Sequence, residues 1–231
     1  CPDWTIEPTA LLRCYVVNVR APCDADVAYG IYDYVRITKD LDFLYGRGAE
    51  VLTETARFWA SRCEYVTEKD RYEINQVTGP DEWHEPVNNN LYTNYFARWN
   101  LRYVMSLIRT MKEERPDDYE ALMKKTGLKE EELEFWNTVQ SKIYLPRKEG
   151  TNLLEQFEGY FQLKDVVIDQ YDENDWPIRP EALKTCKARE TQILKQPDVV
   201  LLLHLLGEEF ESELMKEIMI TMRSVLSMDR H

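Results

Sequence analysis

From Ala49 onward the apolar positions Ala49, Leu52, Ala56, Trp59, Cys63 and Val66 alternate steps of three and four residues, the spacing of a helix that buries one stripe. Phe96, Trp99, Tyr103, Leu107 and Met111 repeat the pattern. They predict a second long helix from Thr93 through the polar tail Lys112 to Arg115, stopped by Pro116, which helices rarely cross. Shorter helices are expected over Asp24–Ile37, Asp117–Lys125, Lys129–Ile143, Glu181–Lys187, Pro197–Leu206 and Glu208–Val225. Pro197 is placed at the first helical position, where a missing N–H costs nothing. Two segments, Thr67–Tyr92 and Leu145–Pro180, show little periodicity and hold Trp83, Tyr92, Phe157, Tyr160, Phe161, Tyr171 and Trp176. Long irregular loops in a compact domain are usually functional or disordered, and aromatic richness argues for order. They read as loops over the mouth of a helical scaffold.

Composition narrows this picture. Of the 231 residues 44% are hydrophobic and 12% aromatic, enough for a sizeable core, and eight Gly with ten Pro are few for the turns of an all-β domain. The expectation is an all-α fold, and the length alone allows one large domain or two small ones. Against 29 Lys and Arg stand 42 Asp and Glu, a formal charge of -13, which disfavours nucleic acid or an anionic membrane surface as partner. The longest apolar run, Val199–Leu203, is far short of the roughly 20 residues that span a bilayer. Cys1, Cys14, Cys23, Cys63 and Cys186 are odd in number and have no CxxC spacing, so a reduced, cytoplasmic setting is expected rather than a disulfide framework or structural zinc. Position 1 is Cys with no basic-then-apolar leader, so no secretory signal and an unnatural chain start are expected.

The densest polar cluster runs from Thr78 to Asn90, with Asp81, Glu82 and Glu85, His84, and three consecutive amides, Asn88 to Asn90. Gly79-Pro80 makes a turn that can present the following residues. Adjacent Asp81 and Glu82 would hinder one another's ionisation, and Trp83 would offer apolar cover, the conditions under which a carboxyl group stays protonated as a general acid. The competing reading is a solvated acidic turn that caps the helix at Thr93. A metal site is not expected, because His84-Glu85-Pro86 is no HExxH and the other histidines are His204 and His231; His204, within an apolar helix, reads as a packed, hydrogen-bonded side chain. A second cluster, Glu190 to Val200, sets Lys195 and Gln196 directly before a helix N-terminus, where they could bind an anion or sugar hydroxyls or serve only as a polar loop. A third, Gln156 to Phe161, mixes aromatics with Glu158, suited to stacking on sugar rings or to loop packing. No Gly-x-Gly-x-x-Gly, Walker or Gly-x-Ser-x-Gly pattern is present.

Taken together and in this order, the three stretches resemble glycoside hydrolase family 65, the inverting phosphorylases of maltose, trehalose, kojibiose, nigerose and glucosylglycerol. Val77 to His84, Asn89-Asn90, Tyr92-Thr93-Asn94-Tyr95, Gln156 to Tyr160 and Lys195-Gln196 carry the likeness, which extends from about Ala25 to Leu206. The resemblance implies a single, partial catalytic domain over residues 1–231, part of an (α/α)6 six-hairpin toroid with long active-site loops, without the family's N-terminal β-sandwich and C-terminal parts. It implies Glu82 as the general acid and Lys195 and Gln196 as the grip on glucose, with Asp81, His84 and Glu158 as further substrate-site residues. The expected reaction is phosphorolysis of an α-glucoside with inversion to β-glucose 1-phosphate. Inorganic phosphate is the co-substrate, with no metal or organic cofactor, and family members are commonly homodimers. His84 to Asn90 look more like the kojibiose or glucosylglycerol branch than the trehalose branch.

The chain departs from the family pattern as well. The Trp-Asp glucose-binding pair and the phosphate-holding Ser and His loops have no counterpart here, Pro22-Cys23 stands where His-Asn is usual, and Pro197 replaces the usual Ala. A fragment, or sequence error at both ends, is therefore expected, with an incomplete site. Two alternatives remain: an inverting hydrolase, for which Glu158 would be a conceivable base, and a helical fragment without catalysis.

Overall fold

The computed structural model describes residues 22–166, 168–174, 178 and 187–223. Its helices of nine residues or more are α1 (Pro22–Thr38), α2 (Ala49–Arg62), α3 (Leu91–Glu114), α4 (Pro116–Thr126), α5 (Glu130–Lys142), α6 (Asp198–Leu206) and α7 (Ser212–Arg223), and two three-residue strands, β1 (Glu64–Val66) and β2 (Arg71–Glu73), interrupt the series. The fold class is all-α, as expected. The chain divides into two compact units, one of Pro22–Ile74 and Thr93–Tyr144, the other containing Asn75–Tyr92 and Leu145 onward.

In the helical unit, α2 buries Leu52, Ala56 and Trp59, the stripe that its spacing announced. Full burial of such side chains contributes about 1.5–3 kcal/mol each for the larger ones. Aromatic rings of α1 pack on α3: Tyr29 lies 5.7 Å from Phe96 and from Trp99, and Tyr32 lies 5.3 Å from Tyr103. Arg57 then ties three helices together. Its Nε donates to Glu132 Oε1 of α5 at 2.8 Å, its Nη1 to Glu54 at 2.6 Å, and its Nη2 to the Thr126 carbonyl at the end of α4 at 3.3 Å. α4 starts with Pro116 in its first turn and stops at Gly127, whose φ of 63° suits a residue without a Cβ. The backbone N–H of Lys129 donates to Glu132 Oε2 at 3.1 Å, which fixes the start of α5.

Several boundaries differ from those expected, most by one or two residues, and three of the differences are informative. The first helix of the apolar stripe ends at Arg62 instead of running to Val66, because Cys63 turns extended and Glu64, Tyr65 and Val66 pair antiparallel with Glu73, Tyr72 and Arg71. Val66 continues the stripe only in register, not in structure. α3 begins two residues before Thr93, and Pro197 sits at the N-cap of α6 rather than at its first helical position. The expected helix at Glu181–Lys187 and the end of the one at Glu208–Val225 lie outside the described residues; the described part of the latter starts at Ser212, after a 3-10 turn over Gly207–Glu209.

The loop-rich unit is held by short main-chain clips. Val77 and Val87 exchange N–H···O bonds of 2.9 and 2.8 Å, closing the segment between them into a loop. Lys164 is clipped on both sides, its N–H donating to the Glu190 carbonyl at 3.2 Å and its carbonyl accepting the Gln192 N–H at 3.0 Å. α6 buries Val199, Leu202, Leu203 and Leu206, and His204 falls on the opposite, exposed side. The expectation of a packed His204 is thereby overturned: successive residues turn about 100° around a helix, which carries this side chain off the stripe it interrupts in sequence. Among the described residues no helix is long and apolar enough to cross a membrane.

Candidate active site

The loop between Val77 and Val87 and the segment before α6 meet at Asp81. Its carboxylate is buried and acts as a hub for the main chain. Oδ1 accepts N–H groups from Trp83 at 3.2 Å, Lys195 at 3.2 Å and Gln196 at 3.4 Å, while Oδ2 lies 2.6 Å from Nδ1 of His84. The other ring nitrogen of His84 lies 2.8 Å from the carbonyl of Thr191. His84 is itself buried, with its ring 5.2 Å from Phe157 and 6.4 Å from Tyr160. Asp81 and His84 are thus structural members of the site, clasping the loop to the 191–196 segment.

That clasp sets the next residues face to face. Lys195 Nζ lies 2.5 Å from Glu82 Oε2, and the Glu82 N–H donates to Gln196 Oε1 at 3.4 Å. The side chain of Glu82 is 63% exposed, so it projects from the clasp into solvent. The expectation that Trp83 covers Glu82 is not met. Trp83 packs against Val166, Ile168 and Ile193, an apolar contact that anchors the loop and leaves the carboxylate open to an incoming molecule. The predicted residues Glu82, Lys195 and Gln196 are therefore together, one charge pair and one amide at a single place.

Glu158 belongs to a neighbouring set of contacts. Its Oε2 accepts from Asn89 Nδ2 at 2.8 Å, and its N–H donates to the Asn88 carbonyl at 3.3 Å. The aromatic residues of the same stretch pack inward: Tyr160 is fully buried and its hydroxyl donates to the Gln192 carbonyl at 2.6 Å. Burial, with Asp81 nearby, pushes the Tyr160 phenol well above its ordinary range.

Two further residues build the site, and sequence reasoning gave neither a role, although Gln156 opens the third cluster and the second spans Asp198. Gln156 crosses from loop to helix, its Nε2 donating to the Gln196 carbonyl at 3.0 Å and its Oε1 accepting the Val199 N–H at 3.4 Å. Asp198, in the first turn of α6, is fully buried. Its Oδ1 accepts the Asp81 N–H at 2.8 Å and its Oδ2 accepts Asn90 Nδ2 at 2.6 Å. Burial pushes the Asp198 carboxyl well above the usual carboxylate range; the Asn90 hydrogen bond opposes this and the Asp81 charge adds to it. The one available signal was an acidic residue opening an apolar helix, which ordinarily means only a favourable dipole contact. Among the described residues no three His, Cys, Asp or Glu side chains are grouped to hold a metal ion.

The chain belongs to glycosyl hydrolase family 65: the family's central catalytic domain matches residues 18–220. Within the family it is similar to kojibiose phosphorylases. It is 54% identical over 202 residues to that of Caldanaerobacter subterraneus subsp. tengcongensis and 53% identical over 202 residues to that of Thermoanaerobacter brockii, in each case over 87% of this chain and 26% of the relative. A nigerose phosphorylase of Lachnoclostridium phytofermentans is 33% identical over 94% of the chain and 29% of its own length. A solved structure described as a kojibiose phosphorylase from human microbiome superposes with a TM-score of 0.75 at 25% identity, covering 90% of this chain and 28% of that one. The chain thus spans about a quarter of the length of the relatives it matches.

Proposed function

We propose that this chain carries the acid-bearing part of an α-glucoside phosphorylase, with kojibiose as the substrate that the relatives favour. Glu82 is the general acid that protonates the glycosidic oxygen as the bond to the anomeric carbon breaks. Inorganic phosphate attacks that carbon from the opposite face and the configuration inverts, giving β-glucose 1-phosphate and the released sugar. An inverting hydrolase needs a second carboxylate to activate water on the far face; a phosphorylase does not, because phosphate is already an anionic nucleophile. Lys195 and Gln196 hold glucose hydroxyls beside Glu82, and neither a metal nor an organic cofactor takes part.

The observation that carries this reading is the Lys195–Glu82 contact at 2.5 Å with Gln196 on the Glu82 main chain. The residue read as the acid and the two read as holding the sugar thus lie together, with the Glu82 carboxylate open to solvent. An ammonium partner favours the charged carboxylate, so donation from Glu82 requires Lys195 to turn from it to the sugar. Substrate arrival thereby couples binding to release of the acid.

The test is phosphate-dependent release of glucose 1-phosphate from kojibiose, nigerose, maltose, trehalose and glucosylglycerol. Release that needs phosphate and disappears in Glu82→Gln supports the proposal and names the substrate. Free glucose without phosphate dependence supports the hydrolase instead, and no turnover of any sugar by the folded chain rejects activity in it.

A further inference from the structure

We infer that Asp198 is a positioning residue for Glu82: its buried carboxylate fixes the Asp81–Glu82 main chain against the Lys195–Gln196 segment. This rests on the role proposed for Glu82. Three observations converge on it. First, Asp198 holds the Asp81 N–H at 2.8 Å, the peptide unit immediately before the one that bears Glu82, so any shift of the carboxylate is passed to the acid within one residue. Second, the opposite oxygen is held by Asn90 Nδ2 at 2.6 Å, and Asn90 lies three residues beyond Val87, where the loop closes. Asp198 therefore links a residue inside the loop that presents Glu82 to the segment that follows it. Third, Gly79 lies so close that a Cβ placed there would collide with Asp198 Oδ2 and with Asn90 Nδ2. The turn packs directly on this pair, and any side chain at position 79 would displace it.

The arrangement also explains why a carboxylate occupies a fully buried position, where an unpaired charge is costly. Each of its two oxygens faces a donor, and a carboxylate is acceptor-only and can serve both together. An amide cannot. In Asp198→Asn the amide oxygen can take the Asp81 N–H, but the amide nitrogen then faces Asn90 Nδ2, donor against donor, and turning the Asn90 amide to relieve this gives up its hydrogen bond to the Gln156 carbonyl at 3.4 Å. Exchanging the two groups, Asp198→Asn with Asn90→Asp, restores one acceptor for the Asp81 N–H and one donor–acceptor pair with position 90.

The experiment reads two quantities on the full chain, single-residue amide hydrogen exchange and phosphorolysis kinetics. In Asp198→Asn, protection at Asp81, Glu82, Lys195 and Gln196 is expected to fall by about tenfold or more while α3 keeps its protection. The kcat is expected to fall by about 10²-fold, the scale of an ångström-sized misplacement, with the KM for phosphate held within about threefold, and the paired exchange recovers part of both. Unchanged protection in Asp198→Asn overturns the inference, as does an unchanged kcat. So does a kcat loss matched by a general loss of protection that the exchange does not restore, since that is a merely structural role. Should Asp198→Asn fail to fold by circular dichroism, Asn90→Ala removes one donor and leaves Asp198 in place; loosened Asp81 and Glu82 amides then support the inference, and unaltered ones reject it. If the unsubstituted chain turns over no glucoside, the proposed function fails, and the exchange data still decide whether Asp198 fixes the Glu82 loop.

Discussion

Lys195 Nζ and Glu82 Oε2 stand 2.5 Å apart although 113 residues separate them along the chain. The pair is exposed on the Glu82 side, and exposed ion pairs stabilise by only about 0–1 kcal/mol. Removing it therefore separates function from folding. Lys195→Ala is expected to leave urea-unfolding stability within about 1 kcal/mol while raising the KM for the glucoside and lowering kcat/KM by about 10²-fold or more. A large stability loss, or unaltered kinetics, would mean that the contact serves the loop rather than the sugar.

His84 gives the opposite pattern. Its two ring nitrogens lie 2.6 Å from a buried carboxylate and 2.8 Å from a carbonyl, and removing one partner of a buried polar group costs about 1–3 kcal/mol. His84→Ala abandons both and leaves a cavity beside Phe157. The expected loss is roughly 2–4 kcal/mol, measured by chemical denaturation, with weakened protection at Thr191 and Lys195.

Two glycines provide a matched contrast. Gly30 lies inside α1, and a methyl group added to it would meet no atom within 4 Å, so Gly30→Ala is expected to stabilise by about 0.5–1 kcal/mol through helix propensity. Gly79→Ala instead drives a methyl group into Asp198 and Asn90. It is expected to destabilise and to lower phosphorolysis together, and thermal melts of the two variants should move in opposite directions.

Cys63 is buried, and desolvation pushes its thiol up to about 12. In the unfolded chain a thiol ionises near about 8.5. Between these values the unfolded state has released the proton and the folded state has kept it, so stability is fully present below about 8.5 and declines as pH rises towards 12. Cys63→Ala is expected to flatten that alkaline decline. Peptide mapping after alkylation at about pH 8, close to the ordinary thiol value, should find Cys63 unmodified in the native protein and modified in urea; ready native labelling would contradict its burial.

The helical unit was legible because its information is local. The three-and-four spacing of Leu52, Ala56 and Trp59, and of Phe96, Trp99 and Tyr103, specifies which face is buried wherever the chain goes. Glu82, Lys195 and Gln196 were legible through the order of their motifs, and the structure places them in contact. Asp198 was not, because its meaning lies in Asn90, 108 residues earlier, and no periodicity reports a partner at that range. The β1–β2 pair escaped for a different reason: Val66 happened to extend the helical stripe by one step. His204 misled because an apolar neighbourhood in sequence wraps around both faces of a helix.

The hub at Asp81 also has a consequence for how the chain is made. Its carboxylate receives the N–H groups of Lys195 and Gln196, 114 and 115 residues further on. At a translation speed of about 5–20 residues per second, roughly 6–23 s pass between the synthesis of Asp81 and that of its partners. During that interval the Asp81 carboxylate lacks these two partners, and the Glu82–Lys195 contact cannot form until the segment before α6 has been synthesised.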